Sequence, residues 1–416
     1  MALAKDIFII AAKRTPFGTF GGKLKNISPT DICVIAGISA LSNKLNNINA
    51  ADINSTIVGN VIHTSPDSIY IGRHAALKLG IPVSTPSLTV NRLCGSGFQS
   101  IINGIQDILC NDADIALCGG TENMSQCPYM VRNLRFGIKL GTDLKMEDSL
   151  WQGLTDSYVN MSMAITAENL AEKYGISKMD ADKYALKSQM RWKKAQEQNV
   201  FQDEMAVIDF NNLPSGVGGS DSKSSKGKPL KDPFFGIDEH PKIDTTLENL
   251  QKLPAIFKKG GNVSAGNASG ICDGGGVVIV TDGETCKRKN YKPLARIVSF
   301  HVSGCDPTIM GIGPVYAIKG ALKKANLSVK DMDLIEVNEA FASQYLAVEK
   351  ELNLNPEKTN VNGGAIALGH PLAASGSRIM AHLTHQLRLK NLRYAVGSAC
   401  IGGGQGIAIV IENLAK

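Results

Sequence analysis

Two thiols, an imidazole and an amide stand where glycine crowds them, and these are the side chains able to do chemistry. Cys94 lies in "TVNRLCGSGFQSI" (Thr89–Ile101), His370 in "NGGAIALGHPLAASGSRI", Cys400 in "GSACIGGGQGIAIVIE" and Asn338 in "EVNEAFA". A buried structural cysteine needs no flanking glycines. A cysteine that attacks a substrate does, because Gly95 and Gly97 let backbone approach without Cβ interference. Placed beside an imidazole, such a thiol is an activated nucleophile. A helix start just after Cys94 offers free N–H groups and a positive dipole end, so the thiolate is expected to be favoured over the thiol. His370 sits between Gly369 and Pro371, and that proline suits the first turn of a following helix. The run Gly402–Gly406 opens a strand pattern and not a helix, which excludes a nucleotide-phosphate loop. Its backbone N–H groups, beside a second thiol, suit a developing oxyanion. Asn338 ends a strand pattern, where it could hold a water or a carbonyl. Cys33, Cys110 and Cys286 read as small buried hydrophobes. His63, His74, His382 and His385 read as core or surface histidines.

The elements that must position these groups alternate. "DIFIIAA", "STIVGNVI", "SLTVNR" and "ADIALCGG" read as strands; Thr30–Leu45, capped by Ser28 or Thr30, and Gly97–Leu109 read as helices. That βαβ order predicts a largely parallel, buried sheet covered by helices. A middle region, about 121–252, is richer in Met, Gln, Lys and Asp. It carries one long helix pattern (Lys178–Gln198) and the Gly/Ser/Lys stretch "PSGVGGSDSKSSKGK", expected to be a mobile loop or hairpin tip. It reads as an insertion or lid, not as sheet core.

The opening pattern then returns. "ALSNKLNNINAADINSTIVGN" (Ala40–Asn60) matches "ALKKANLSVKDMDLIEVN" (Ala321–Asn338), pairing Asp52 with Asp331. "GSGFQSI" matches "ASGSRIM", pairing Ser96 with Ser375. Both pairs share one offset, 331 − 52 = 375 − 96 = 279, so a tandem duplication is expected. The chain divides into an N-terminal half, 1–286, which includes the insertion, and a C-terminal half, 287–416. A pseudo-twofold axis between the halves would bring two helix N-termini together, and with them Cys94 and His370.

Composition sets the frame. The 416 residues are 43% hydrophobic and 20% charged, with formal net charge +6, ordinary for a globular protein of two or more domains. No Lys/Arg block points to nucleic acid. Nine cysteines, an odd number with no Cys-x-x-Cys pair, argue against a disulfide framework or zinc site and fit a reducing compartment. No apolar run reaches the length of a membrane span. "MALAKDIFIIAAKRTPFG" reads as a first strand and not as a secretory signal; Lys5, Lys13 and Arg14 give it a faint mitochondrial character.

Taken together and in this order, "NRLCGSGFQSI", "GNASG", "EVNEAFA", "NGGAIALGHPLAASGSRI" and "GSACIGGGQG" resemble the thiolases over essentially the whole chain. "AAKRTPFG", "MAITAENLAEKYGIS", "TTLENLQKLPAIFKK" and "VSGCDPTIMGIGPV" extend the resemblance toward the mitochondrial branch that degrades 3-ketoacyl-CoA in β-oxidation. The resemblance implies a duplicated α/β fold, two βαβαβαββ halves layered αβαβα with an inserted loop domain. It implies cleavage of 3-ketoacyl-CoA by CoA through a cysteine thioester, with CoA as a substrate and no cofactor. Cys94 would carry the acyl group after His370 draws off its proton, and Cys400 would be the acid/base. His370 with a water held by Asn338 would form one oxyanion hole, the N–H groups of Cys94 and Gly402 the other. Ser269 would touch the pantetheine arm, and Lys242 and Thr245 would lie on the CoA loop. Lys242 stands where the family relative has Arg, a point charge in place of a bidentate fork. A homo-oligomer, a dimer of dimers, and the mitochondrial matrix are also implied; peroxisome and cytosol stay open.

Two departures bear on specificity. Ala373-Ala374 replaces a usual glycine, and the extra methyls are expected to narrow the pocket. Ser162 stands where acetoacetyl-specific thiolases carry His, which leans away from a dedicated acetoacetyl-CoA enzyme; that biosynthetic role is the alternative. A decarboxylating ketoacyl synthase would lack the second thiol, and a lipid-binding scaffold would have lost Cys94 or His370.

Overall fold

In the computed structural model, residues 3–217 and 231–414 are described. Most of the Gly/Ser/Lys stretch expected to form a mobile loop therefore lies outside the described residues.

The sheet elements are β1 (Ile7–Arg14), β2 (Ser55–Gly59), β3 (Ser87–Val90), β4 (Ile115–Asn123), β5 (Cys272–Asp282), β6 (Ala295–Gly304), β7 (Leu334–Val337), β8 (Tyr394–Ile401) and β9 (Gln405–Glu412). The principal helices are α1 (Pro29–Leu41), α2 (Ser96–Leu109), α3 (Met163–Tyr174), α4 (Lys178–Glu197), α5 (Gly313–Ala325), α6 (Ala365–Leu368) and α7 (Ala374–Leu389). α1 starts where expected, with Pro29 in its first turn and Ser28 accepting from the Asp31 N–H, but stops at Leu41. α4 carries a Ser177/Asp180 capping box.

The strands form one ten-stranded sheet ordered β7-β8-β9-β6-β1-β5-β4-β2-β3, with Gly18–Thr19 paired on β5. Within it the duplication is visible as topology. In the first half the order runs β3-β2-β4-β5-β1. In the second it runs β7-β8-β9-β6, and a parallel bridge from Ile335 to Thr359 stands where a fifth strand would lie. The halves join where β1 meets β6 antiparallel, Ile7 opposite Ile297. Both short helical turns that precede β2 and β7 end on the Asp52/Asp331 pair. Helices α2 and α7 begin at Ser96 and one residue before Ser375.

The sheet is mixed, not largely parallel. β2 pairs parallel with β3 and β4, and β7 with β8. β5 runs antiparallel to β4 and β1, and β9 antiparallel to β8 and β6. The reason is that each half contains two neighbouring strands not joined by a crossover helix packed on the sheet: β8 and β9 follow each other directly, and β4 and β5 pair across the inserted segment. In the second half residues 402–404 make the hairpin turn, with Gly403 and Gly404 at positive φ. In the first half that same turn is replaced by residues 124–271. The sheet thus resumes at Cys272, well after residue 252, and Thr121 lies inside β4.

Three apolar clusters separate five layers. α1 packs outside the first half with Ile32, Val34 and Ala36, and α5 outside the second with Val315 and Ile318. Between the sheet faces α2 and α7 bury Phe98, Ile101, Ile105, Ile379 and Leu383. β4 and β5 are buried along their whole length, as strands covered on both faces must be. At the axis, Gly97 and Gly376 face each other across the two helix starts. A Cβ on Gly97 would lie 2.5 Å from the Ala373 carbonyl, and one on Gly376 would lie 2.3 Å from the Phe98 nitrogen. These glycines also share the offset, 376 − 97 = 279, so close approach of α2 and α7 is built into both copies.

Candidate active site

A cavity of about 150 Å³ opens where α2 and α7 begin, and Cys94, His370 and Ser269 line it together with Trp151, Met163 and Phe341. The pseudo-twofold arrangement therefore does bring Cys94 and His370 to one place from opposite halves.

Cys94 is half-buried and precedes α2 by two residues. Leu93 before it holds φ 46°, and among the described residues it is the only non-glycine at positive φ that is not Asn. Its N–H donates to Asn91 Oδ1 (2.9 Å), and its carbonyl accepts from Ser96 Oγ (2.7 Å) and the Ser96 N–H (2.9 Å). Such a conformation costs about 1–2 kcal/mol and persists only where its surroundings fix it. Hydrogen bonds from the Gly402 N–H and from Cys94's own N–H reach the sulfur, yet burial outweighs them and pushes the thiol up to about 11. The expected resting thiolate is thereby corrected: the helix start and two donors do not offset desolvation, so Cys94 rests as a thiol and needs a base.

His370 is suited to be that base. It is buried, and burial first, then the Arg378 charge, push it down to about 3, so the ring is neutral at physiological pH. Ser375 Oγ donates to the Pro371 carbonyl (3.2 Å) and so accepts from His370 Nδ1 (2.5 Å). That assignment leaves Nε2 unprotonated, facing Asn338 Nδ2 at 3.4 Å. Gly369 delivers the ring at φ 101°, a conformation for glycine, with the space for a Cβ taken by Cys272 Sγ at 2.4 Å. Asn338 is fully buried at the end of β7, its N–H held by the Ser398 carbonyl (2.9 Å). Its Oδ1 has no protein partner.

Cys400, the residue before the last of β8, is buried against Met310, Ala340, Phe341 and Met163, four residues that line the cavity. Burial and the neighbouring Cys94 sulfur raise it well above an ordinary thiol. Gly402, in the hairpin turn, has Leu93 and Met163 at 3.2 and 3.3 Å from where a Cβ would stand. The Ser269 N–H is fixed by the Ala340 carbonyl (3.0 Å). Lys242 and Thr245 do not line the cavity. They share a loop before Leu247, Lys242 exposed and Thr245 half-buried, with the Thr245 N–H bonded to the Lys242 carbonyl (3.1 Å).

Ala373 and Ala374 do not narrow the pocket. Both are fully buried behind it. The Ala373 carbonyl packs on Gly120, whose Cβ would lie 1.9 Å away. Leu372 is the neighbour that reaches the cavity, and Ser162, at the start of α3, lines it as well.

Sequence reading missed Glu122. This buried carboxylate accepts from Val61 N (3.2 Å), Ile62 N (3.0 Å) and Ala373 N (3.1 Å), tying the loop after β2 to the start of α7. Burial raises it to about 7. An acid inside the otherwise uncharged strand "IALCGGTEN" was the available signal. Also missed was Ser375, noticed only as a marker of the repeat. Among the described residues no cluster of His, Cys, Asp and Glu is arranged to hold a metal, and no helix is long and apolar enough to cross a membrane.

Comparison with known proteins agrees with this arrangement. The model of the thiolase N-terminal domain matches residues 7–284, and that of the thiolase C-terminal domain matches residues 291–413. The mitochondrial 3-ketoacyl-CoA thiolases of Bos taurus and Homo sapiens are 60% and 58% identical over 415 residues, covering 100% of both chains in each case. A crystal structure of the human mitochondrial 3-ketoacyl-CoA thiolase in complex with CoA superposes with a TM-score of 0.93, at 58% identity and 99% coverage of each chain. A duplicated half-sheet, a cysteine and a histidine delivered by equivalent helix starts, and both domain matches lead to one conclusion: the chain belongs to the thiolase family.

Proposed function

We propose that the protein is an acetyl-CoA C-acyltransferase that cleaves 3-ketoacyl-CoA with CoA, giving acetyl-CoA and a shortened acyl-CoA, and that Cys94, His370, Cys400, Asn338 and Gly402 do the chemistry. The observation that carries this reading is a nucleophile-like thiol and a neutral imidazole lining one cavity, with a second thiol packed against four of its lining residues. The names of the relatives support the substrate.

In the first half-reaction Cys94 gives its proton to His370 Nε2, and its sulfur attacks the 3-keto carbon. The N–H groups of Cys94 and Gly402, already aimed at that sulfur, receive the oxyanion. The C2–C3 bond breaks, and its electron pair passes to the acetyl-CoA enolate. Protonated His370, with a water on Asn338 Oδ1, faces the enolate oxygen, and Cys400 gives its proton to C2. In the second half CoA loses its thiol proton to Cys400 and attacks the thioester. Cys94 leaves and regains its proton from His370. Protons and electrons balance with CoA as a substrate and no metal or redox cofactor. EDTA should leave turnover unchanged.

Ser269 reaches the pantetheine arm from the cavity wall, and Lys242 and Thr245 meet CoA at its mouth. Division into halves at 286/287 agrees with the repeat. A dimer of dimers is proposed on two surfaces: the open sheet edge at β3, with Leu88 exposed, and the exposed apolar residues Phe136, Leu140 and Met146 of the insertion. The mitochondrial matrix is proposed from the relatives. The decisive experiment supplies CoA and 3-ketoacyl-CoA of increasing chain length and detects acetyl-CoA by mass spectrometry. Absence of acetyl-CoA at every length, with folded protein, would remove the reading; activity with acetoacetyl-CoA alone would favour the biosynthetic alternative.

A further inference from the structure

The turn that delivers His370 is bonded to the expected CoA loop through one side chain. Gln189 lies on α4 of the inserted segment and is 5% exposed. Its Oε1 accepts from the Lys242 N–H (2.9 Å), and its Nε2 donates to the Ile366 carbonyl (3.2 Å). A single amide therefore joins the loop before Leu247 to α6, the turn immediately before Gly369-His370. A second tie runs beside it, from His240 Nδ1 to the Ala367 carbonyl (2.8 Å).

On its other side α6 is tied to the partner of the imidazole. The Ile366 N–H donates to Glu339 Oε2 (3.1 Å), and Glu339 follows Asn338 directly in the chain. The Glu339 carboxylate is fully buried and also accepts from Tyr184 Oη (2.6 Å) and Ser188 Oγ (2.7 Å), both on α4, and from Asn360 Nδ2 (3.2 Å). It packs so closely under the turn that a Cβ on Gly364 would fall 2.4 Å from its Cδ. Because Ile366 is bonded through both its carbonyl and its N–H, α6 cannot shift without disturbing either the loop or the Asn338–His370 pair.

We infer that Gln189 is a positioning residue, through which occupation of the loop at Lys242 by the nucleotide end of CoA aligns His370 with Asn338. This rests on the proposed function in taking that loop as a CoA contact. The nucleotide lies far from the reacting thioester, so its binding free energy can raise the rate only if part of it is realised at the reacting centre. The Lys242–Gln189–Ile366–Glu339 chain is a physical route for that transfer, and a route is established only by measured coupling.

Two acyl donors separate this role from a structural one. Acetyl-CoA carries the nucleotide; acetyl-pantetheine presents the same thioester without it. Acylation of Cys94 is followed by rapid quench and mass spectrometry in wild type, Gln189→Met and Gln189→Glu. Gln189→Met removes both bonds at similar volume, and Gln189→Glu keeps the acceptor for Lys242 N–H but loses the donor to Ile366. Both variants are expected to lower the rate at saturating acetyl-CoA about tenfold, with KM changing less, while the rate with acetyl-pantetheine falls less than twofold. Equal losses with both donors, a change in KM alone, or no change would overturn the inference. Failure of wild type to take an acetyl group from either donor would instead remove the proposed function. The acetyl-pantetheine reaction also reports whether each variant holds a folded site.

Discussion

Removing His370 gives the most direct test of how the nucleophile is activated. Burial pushes the Cys94 thiol up to about 11, well above an ordinary thiol. Its thiolate fraction at pH 7 is then about 10⁻⁴, a hundredfold below that of an unperturbed thiol. With His370 present, proton transfer to a neutral Nε2 accompanies attack, and the reaction does not wait for free thiolate. His370→Ala should slow acetylation of Cys94 by 10²–10⁴. What remains should depend on hydroxide, rising about tenfold per pH unit from pH 7 to 10. Wild type should behave differently. His370, pushed down to about 3 by burial and Arg378, stays unprotonated down to acid pH, so no fall with an apparent pKa near 6.5 is expected. The assay is rapid-quench mass spectrometry of the Cys94 peptide with acetyl-CoA between pH 5.5 and 10. A flat profile in His370→Ala, or a wild-type acid limb near 6.5 that the substitution removes, would refute this account of Cys94 and His370.

Other outcomes follow from the same geometry. Acetyl-CoA alone should label only the Cys94 peptide; Cys94→Ser should lose the label, whereas Cys400→Ser should keep it but fail at condensation, where a proton leaves C2. Label on the Cys400 peptide would reverse the two roles. Gly369→Ala forces a side chain into φ 101° and against Cys272 Sγ, so it should destabilise the fold by about 1–3 kcal/mol in urea titration and lower acylation, and an unchanged midpoint with full activity would contradict the packing at this turn. Ser269→Ala should raise KM for CoA more than it lowers kcat, because a contact made equally in ground and transition states is lost; an unchanged KM would take Ser269 out of the site.

What the sequence disclosed, and what it hid, divides along one physical line. The repeat at 279 residues was legible because each copy must build the same helix start beside the same axis, and Ser96/Ser375 and Asp52/Asp331 mark it. Cys94, His370 and Cys400 were legible because glycine beside them has a local cause. Strand direction was not, since buried parallel and antiparallel strands such as β4 and β5 have the same apolar character. The charge state of Cys94 was hidden too: a helix start can be read from "CGSGF", but the burial that outweighs it comes from distant chain. Ala373-Ala374 misled for the same reason, because only the fold shows their methyls turned behind the cavity. Gln189, Glu339 and Glu122 had no local signal of comparable strength. Their partners lie 21 to 251 residues away.

The two thiols also impose an order on the reaction. Burial disfavours ionisation of either one, and the Cys94 sulfur raises Cys400 further, so both cannot be thiolates at once in so small a space. Cys94 must therefore carry its acyl group, and lose its capacity for charge, before Cys400 can act as a base. Acylation also leaves its proton on His370, and the resulting imidazolium is the cation against which the Cys400 thiolate becomes tolerable. A site with Cys94 acylated and His370 protonated is thus the state that favours deprotonating either C2 or the incoming CoA thiol. Free enzyme has neither feature. Cys400 consequently does not compete as a nucleophile before the substrate arrives, although it is the same functional group, packed against residues of the same cavity wall. Its role follows from sequence position only in part; the greater part comes from the charge that Cys94 gives up.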